Sequence, residues 1–267
     1  MNALRIAMVQ SNAGIDPARN LTDIEALLDG VPPADLIALP EALLLRGDTD
    51  DYRRLAEPLT GPAAQQLGRM AARRGSWLLA GSLFEREGNR VYNTCVLFDR
   101  AGRIAATYRK MHLFEATLDT GERIREQDAY ERGDKPALVS IEGWSAGLSV
   151  CYDIRFPELY RWYSSRGAHV LFAPSNFTQR TGRDHWSTLV RARAIENQCF
   201  VVAPDQCGAN PVTGVTSHGH SMVVGPWGEV LAQGGDEPAV LQCRLDPQEI
   251  VRTRARIPAL THRIPGL

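Results

Sequence analysis

Three residues with reactive side chains stand directly after short apolar runs of strand length. Glu41 follows Asp35-Leu36-Ile37-Ala38-Leu39-Pro40, Lys110 follows Ile104 to Tyr108 across Arg109, and Cys151 follows Gly147-Leu148-Ser149-Val150. Beyond Cys151 the chain turns sharply into a helix with Pro157 in its first turn. Parallel α/β sheets gather functional side chains at the carboxyl ends of strands, so a thiol here is placed as a nucleophile rather than as a core filler. What would make it react must come from charged groups delivered by other strand ends. Taken singly, each residue has an ordinary structural reading: a strand-end cysteine packs, a lysine is a surface charge, and a Pro-Glu pair is commonplace.

Apolar spacing supplies the elements that would hold these residues. Arg5 to Ser11 reads as a first strand, and Pro17 to Leu28, with Leu21, Ile24, Leu27 and Leu28, as an amphipathic helix. Gly61-Pro62-Ala63 opens a helix to about Arg74, and Ser76 to Phe84 is a strand. Val91 to Phe98 and Ile104 to Tyr108 read as a hairpin turning on Ala101-Gly102. Pro157 to Arg166 is a helix stopped by Gly167, Val170 to Ala173 and Cys199 to Pro204 are strands, and the helix marked by Trp186, Leu189, Val190 and Ala194 ends near Asn197. Ser221 to Gly225 and Val230-Leu231 form a hairpin, and Ala239 to Leu245 precedes a last helix from Pro247. Leu43 to Tyr52, Pro174 to Gly182 and Glu115 to Lys135 lack a clear period and read as loops, the last a long surface excursion of the kind that carries function. The alternation predicts one layered α/β domain over residues 1–267 with a short tail from Ile257.

Composition narrows the function classes. The chain has 267 residues, 44% hydrophobic and 23% charged, as in ordinary globular proteins with one large core. A net charge of −1 and a pI of about 6.6 give no electrostatic case for nucleic acid or an anionic membrane as partner. The basic run Arg252 to Arg256 reads as the solvated face of a helix. No signal-type cleavage pattern follows the N-terminal apolar run and no segment approaches membrane-spanning length, so a cytoplasmic location is expected. Five cysteines without a C-x-x-C argue against a disulfide framework or a zinc knuckle. His218-Gly219-His220 sets two imidazoles on one strand face, but no third ligand is evident, which favours a hairpin or subunit contact over a metal. Trp186 and Trp227 read as packing anchors. No phosphate-binding glycine pattern follows a strand, and neither cofactor nor metal is expected.

The segments Leu39-Pro40-Glu41, Tyr108-Arg109-Lys110-Met111-His112-Leu113-Phe114 and Val150-Cys151-Tyr152-Asp153-Ile154-Arg155-Phe156-Pro157-Glu158 resemble, in order and over essentially the whole chain, the nitrilase (carbon–nitrogen hydrolase) superfamily. Their joint occurrence reverses the ordinary readings above. The resemblance implies a four-layer α-β-β-α sandwich, subunits paired as homodimers or larger homo-oligomers, and a Glu-Lys-Cys triad of Glu41, Lys110 and Cys151. A thiol attacks a carboxamide or nitrile carbon, a carboxylate takes its proton, and a fixed cation stabilises the oxyanion, with the Tyr152 backbone N–H as second donor. Ammonia or an amine leaves, and water opens the thioester. Family members carry a further glutamate between the lysine and cysteine motifs. Glu115, Glu122, Glu126 and Glu131 are available, and Glu126 is matched by its distance from the lysine, to hold Lys110 and touch the leaving amine. Two carboxylates beside a thiolate would leave one lysine facing three negative charges, so resting Cys151 is expected to be a neutral thiol hydrogen-bonded to Glu41.

The C-terminal half is similar to the Nit-type amidases of that superfamily, through Thr181-Gly182, His185-Trp186, Arg191 to Gln198, Asp205-Gln206-Cys207-Gly208 and Gly219 to Val224. Gln206-Cys207-Gly208 leans toward the deaminated glutathione amidases, whereas Arg191 to Gln198 is shared with ω-amidases acting on α-ketoglutaramate. Both are small anionic amides, and Arg155, Arg180 and Arg183 are candidates to meet a substrate carboxylate, with Asn176 and Phe177 lining the acyl pocket. Arg155 reads equally well as a salt bridge bracing the turn. The segments Asn176 to Arg183 and Ala42 to Asp51 depart from the pattern, which keeps a broad aliphatic amidase, an acyl transferase and a non-enzymatic redox-sensing thiol as alternatives.

Overall fold

In chain order the strands are Leu4–Gln10 (β1), Leu36–Ala38 (β2), Trp77–Glu87 (β3), Arg90–Phe98 (β4), Ile104–Arg109 (β5), Glu115–Thr117 (β6), Arg123–Arg125 (β7) and Ala137–Ile141 (β8). Then follow Trp144–Leu148 (β9), Val170–Phe172 (β10), Phe200–Ala203 (β11), Cys207–Ala209 (β12), Thr216–His218 (β13), Met222–Val224 (β14), Val230–Gln233 (β15) and Ala239–Leu245 (β16). The helices are Pro17–Leu28 (α1), Thr49–Leu55 (α2), Pro62–Arg74 (α3), Pro157–Ser164 (α4), Gln179–Asn197 (α5) and Pro247–Arg256 (α6). The structure, a computed structural model, describes residues 1–117 and 123–264.

Side-chain alternation builds the layers. Along β1, Ala7 and Val9 point to one face and Ile6 and Met8 to the other, and both faces are buried. Ala7 and Val9 pack with Ile37, Leu78 and Val96 beneath Ile24 and Leu28 of α1 and Leu67 and Met70 of α3. Ile6 and Met8 join Leu97 and Tyr108 against Leu148, Val170 and Val202 of a second sheet, whose other side meets Tyr163 of α4 and Trp186 and Val190 of α5. The result is the expected α-β-β-α order.

Both sheets have six strands, in the orders β16-β1-β2-β3-β4-β5 and β15-β14-β11-β10-β9-β8. The centres are parallel, β1-β2-β3 in one sheet and β9-β10-β11 in the other. Two successive antiparallel pairings, β3 with β4 and β4 with β5, turn β5 back into the direction of β2. The ends of β2, β5 and β9 therefore deliver Glu41, Lys110 and Cys151 to one rim of the sandwich.

Some loops hold more order than their sequence suggested. Within Leu43 to Tyr52, α2 begins at Thr49 because Asp48 caps it, its side chain accepting from Asp50 and Asp51 N–H while Asp51 answers the Asp48 N–H. Thr178 caps α5, which starts at Gln179, inside the stretch read as a loop. Glu115 to Lys135 is more than a surface excursion. It carries the β6-β7 hairpin and a helical turn at Glu126–Asp128, and it buries Ala129 and Tyr130 against Phe84 and Val91. Trp186 is buried as expected. Trp227 is 43% exposed under the Arg256 guanidinium, and so anchors the surface rather than the core.

Gly81 of β3 marks the tightest approach near the rim, since a Cβ there would lie 2.1 Å from the Leu39 carbonyl and 2.4 Å from the Pro174 ring. Gly81→Ala should therefore lower stability by about 1–3 kcal/mol. The shift in urea midpoint measures it, and an unchanged midpoint would show that this contact relaxes freely.

Candidate active site

Cys151 stands where β9 has ended and a single helical turn, Cys151–Arg155, begins. Its φ of +48° is left-handed, a conformation a β-substituted residue adopts only when the surroundings enforce it. They do so through the Cys151 N–H, which donates to the Pro174 carbonyl at 2.8 Å, and through Asp153. The fully buried Asp153 carboxylate accepts from Val150 N–H and Tyr108 O–H, both at 2.8 Å, and from the His112 N–H at 3.0 Å, with the His112 ring Nδ1 at 2.7 Å. Asp153 thus ties the cysteine turn to the residues on both sides of Lys110. The Tyr152 N–H is among those that the start of a helical turn leaves without an intrahelical acceptor.

Lys110 has no exposure to solvent. Its Nζ lies 2.9 Å from Glu41 Oε1 and 2.8 Å from Glu126 Oε1. Glu126 is held in turn by the Phe114 N–H on Oε2 at 2.7 Å and by the Tyr130 hydroxyl. Glu41 Oε1 also accepts from Asn93 Nδ2 at 2.9 Å, and its carbonyl accepts from Gln206 Nε2. Of the glutamates available in sequence, Glu126 joins the cluster, Glu131 is exposed and faces Arg90, Glu115 lies exposed on β6, and Glu122 falls outside the described residues.

This crowding fixes the direction of each proton equilibrium. Burial disfavours the Lys110 ammonium, yet Glu126 and Glu41 outweigh it and hold its pKa well above the usual lysine value. Burial pushes Glu126 above the carboxylate range, opposed by Lys110 and reinforced by Glu41. Burial, then Glu41, pushes the Cys151 thiol well up despite Lys110, so the resting group is the neutral thiol. The expected partner is absent, however. The thiol makes no hydrogen bond to Glu41 among the described residues, where Lys110 and Asn93 both donate to Glu41 Oε1.

Two recesses meet at this cluster. The smaller is lined by Cys151, Tyr152, Arg155 and Phe177, and the larger, of about 320 Å³, by Glu41, Arg46, Tyr52, Asn210 and Ser217; Phe114, Glu126, Asn176 and Thr178 line both. Arg155 makes no ion pair with a carboxylate among the described residues; its guanidinium lies over Phe177 at 5.3 Å and beside His185 Nδ1 at 3.2 Å. The salt-bridge reading of Arg155 is thereby corrected. Neither Arg180 nor Arg183 lines either recess. His218 and His220 stack with ring centroids 4.4 Å apart, and the described residues hold no group of three metal-ligating side chains.

A carbon–nitrogen hydrolase model matches residues 5–255. The chain belongs to the carbon–nitrogen hydrolase family. Among curated proteins it is 37% identical, over 97% of both chains, to the deaminated glutathione amidase of Synechocystis. Among solved structures it resembles the Caenorhabditis elegans NitFhit protein, with a TM-score of 0.92 and 33% identity over 98% of this chain, which spans 65% of that one. It also resembles an amidase of Nesterenkonia captured with acrylamide added at its active site cysteine, with a TM-score of 0.78 and 29% identity over 95% of this chain and 98% of that one. As a carbon–nitrogen hydrolase the chain has the neighbours its site needs, including several the motifs did not disclose. Asn93 interrupts an apolar strand with polar atoms, Tyr130 stands in a charged stretch that carries no such signal, and the equal offsets of His112 from Lys110 and of Asp153 from Cys151 are the signal that links the two motifs.

Because the Cys151 pKa is raised, the thiolate fraction is small at neutral pH and grows as pH rises. Iodoacetamide alkylation of Cys151 should accelerate through and beyond the ordinary thiol value of about 8.5. A rate plateau already reached below pH 7 would show a resting thiolate instead.

Proposed function

We propose that this hydrolase cleaves small anionic carboxamides of the deaminated-glutathione type through a Cys151 thioester. Lys110, buried between Glu41 and Glu126, carries the reading, because a cation so fixed beside a neutral thiol suits a reaction in which negative charge develops on a carbonyl oxygen. Cys151 Sγ attacks the amide carbon as its proton passes to Glu41. The oxyanion is met by Lys110 Nζ and the Tyr152 N–H. Collapse breaks the C–N bond, and the amine leaves with the proton that Glu41 held. A water, deprotonated by Glu41, then attacks the thioester, and the second tetrahedral species releases the carboxylic acid and restores the thiol. Glu126 holds Lys110 and faces the leaving amine, while Arg155, stacked on Phe177 and Tyr152, meets the acyl carboxylate. Asn176 and Phe177 shape the acyl side beside Cys151.

The relative named a deaminated glutathione amidase, matched along its whole length, supports this substrate class, and Arg155 supplies the cation it needs. The cleaved bond of deaminated glutathione releases cysteinylglycine, an amine, whereas α-ketoglutaramate would release ammonia. Five free cysteines suit a reducing, cytoplasmic location. The exposed Ile195, Trp227, Leu231 and Val251 on the α5, β15 and α6 side suit pairing with a second copy, and sedimentation as a monomer would exclude it.

The deciding experiment measures kcat/KM for deaminated glutathione, α-ketoglutaramate, succinamate, an aliphatic amide and one nitrile. Deaminated glutathione should be preferred, and Cys151→Ala should be inactive on all. Glu41→Gln should lower kcat by about 10²-fold or more, and Lys110→Met by a similar or larger factor. Nitrile turnover with every amide inert, or peroxide sensitivity without any turnover, would overturn the proposal.

A further inference from the structure

Arg155 is the one cation among the described residues that line the smaller recess, and its own turn does little to aim it. It ends the single helical turn that Cys151 begins. The rings of Phe177 and Tyr152 lie 5.3 and 5.8 Å from its guanidinium carbon, contacts that attract a cation without fixing where its N–H groups point. A side chain with this much rotamer freedom needs a directional bond to present one face.

That bond comes from α5. Among the described residues the Arg155 side chain makes one hydrogen bond, Nη1 lying 3.2 Å from His185 Nδ1. A guanidinium offers only N–H donors, so the bond requires the lone pair on Nδ1 and leaves the ring proton on Nε2. The same helix holds the preceding residue, because buried Arg193 donates Nε to the Ile154 carbonyl at 2.7 Å. Two successive residues of the cysteine turn are thus held by α5, one through its backbone and one through its side chain. The helix is itself anchored at this point: Trp186, next to His185, is buried and donates Nε1 to the His220 carbonyl at 2.8 Å. Thr181, four residues before His185 and so on the same helix face, lines the smaller recess. The imidazole therefore draws the guanidinium toward the wall of the recess that holds Cys151.

His185 lines neither recess and is exposed, where side-chain contacts contribute little to folding. We propose that it is a positioning residue: its Nδ1 acceptor sets the direction in which Arg155 presents its remaining N–H groups, and so sets the preference of the site for amides with an anionic acyl end. This rests on the reading of Arg155 given under the proposed function and assigns part of that selectivity to a residue outside the cleft.

Two substrates isolate the effect: deaminated glutathione, and the same molecule with the carboxylate of its acyl half converted to a methyl ester, both followed by release of the amine. Wild-type protein should favour the acid through a lower KM. His185→Leu should raise KM for the acid by about 3–10-fold, with kcat little changed and KM for the ester unaffected. His185→Asn, whose amide can offer an oxygen where Nδ1 stood, should recover most of the loss, whereas His185→Gln, which carries its amide to the Nε2 position, should not. In an Arg155→Leu background His185→Leu should have no further effect. KM changes of equal size on both substrates, a loss confined to kcat, or a His185→Asn variant no better than His185→Leu would assign the contact to structure alone and overturn the proposal. Equal cleavage of acid and ester by wild type would show that Arg155 does not read the acyl carboxylate, removing the role of His185 while leaving amide hydrolysis intact. Failure of wild type to release amine from either would overturn the reading of the site itself, and the proposal with it.

Discussion

A lysine ammonium with no access to water stays charged only if anions replace its hydration, and the rim of this sandwich is built around that requirement. Lys110 gains Glu41 from one strand end and Glu126 from a turn after the β6-β7 hairpin, both within hydrogen-bonding distance. Neither carboxylate is left to Lys110 alone: Asn93 fixes Glu41, and Phe114 and Tyr130 fix Glu126. Burial, then the fields of Glu41 and Glu126, keep the thiol protonated against the pull of Lys110. The thiol's resting state is thus a consequence of how the lysine is stabilised.

Positioning the thiol over this cluster is a separate task, and Asp153 performs most of it. One buried carboxylate gathers the Val150 N–H, the Tyr108 hydroxyl and two groups of His112. The strand that ends in Lys110 and the turn that begins with Cys151 belong to different sheets, so this carboxylate sets the distance between thiol and cation across the layers. The left-handed backbone at Cys151 is held by the same contacts together with the Pro174 carbonyl.

The layers and the three strand-end residues were legible because they follow from local pattern: apolar runs bounded by polar residues in β1 and β2, helical spacing in α1 and α5, and reactive residues where the apolar runs stop. The family pattern supplied Glu126, which no local period distinguishes from its neighbouring glutamates. What stayed hidden depends on distant pairs. Asn93 sits in an apolar run, and nothing around it announces Glu41, which is 52 residues away. Arg46 reads as one more loop arginine until the Cys207 and Gly208 carbonyls close over it from the segment that carried the amidase resemblance. That the thiol makes no bond to Glu41 was not legible either, because the Lys110 and Asn93 contacts to Glu41 Oε1 pair residues distant in sequence.

The two carboxylates around Lys110 also bear on the end of the proposed reaction. Hydrolysis turns a neutral amide carbonyl into a carboxylate at the point where Glu41 and Glu126 already stand, in a space too dry to screen them. Substrate and product therefore meet different fields in the same cleft: the amide is tolerated and the new acid is repelled. The pair of carboxylates that stabilises the lysine would thus also hasten departure of the acyl product, changing how fast the site is cleared and not where the hydrolysis equilibrium lies.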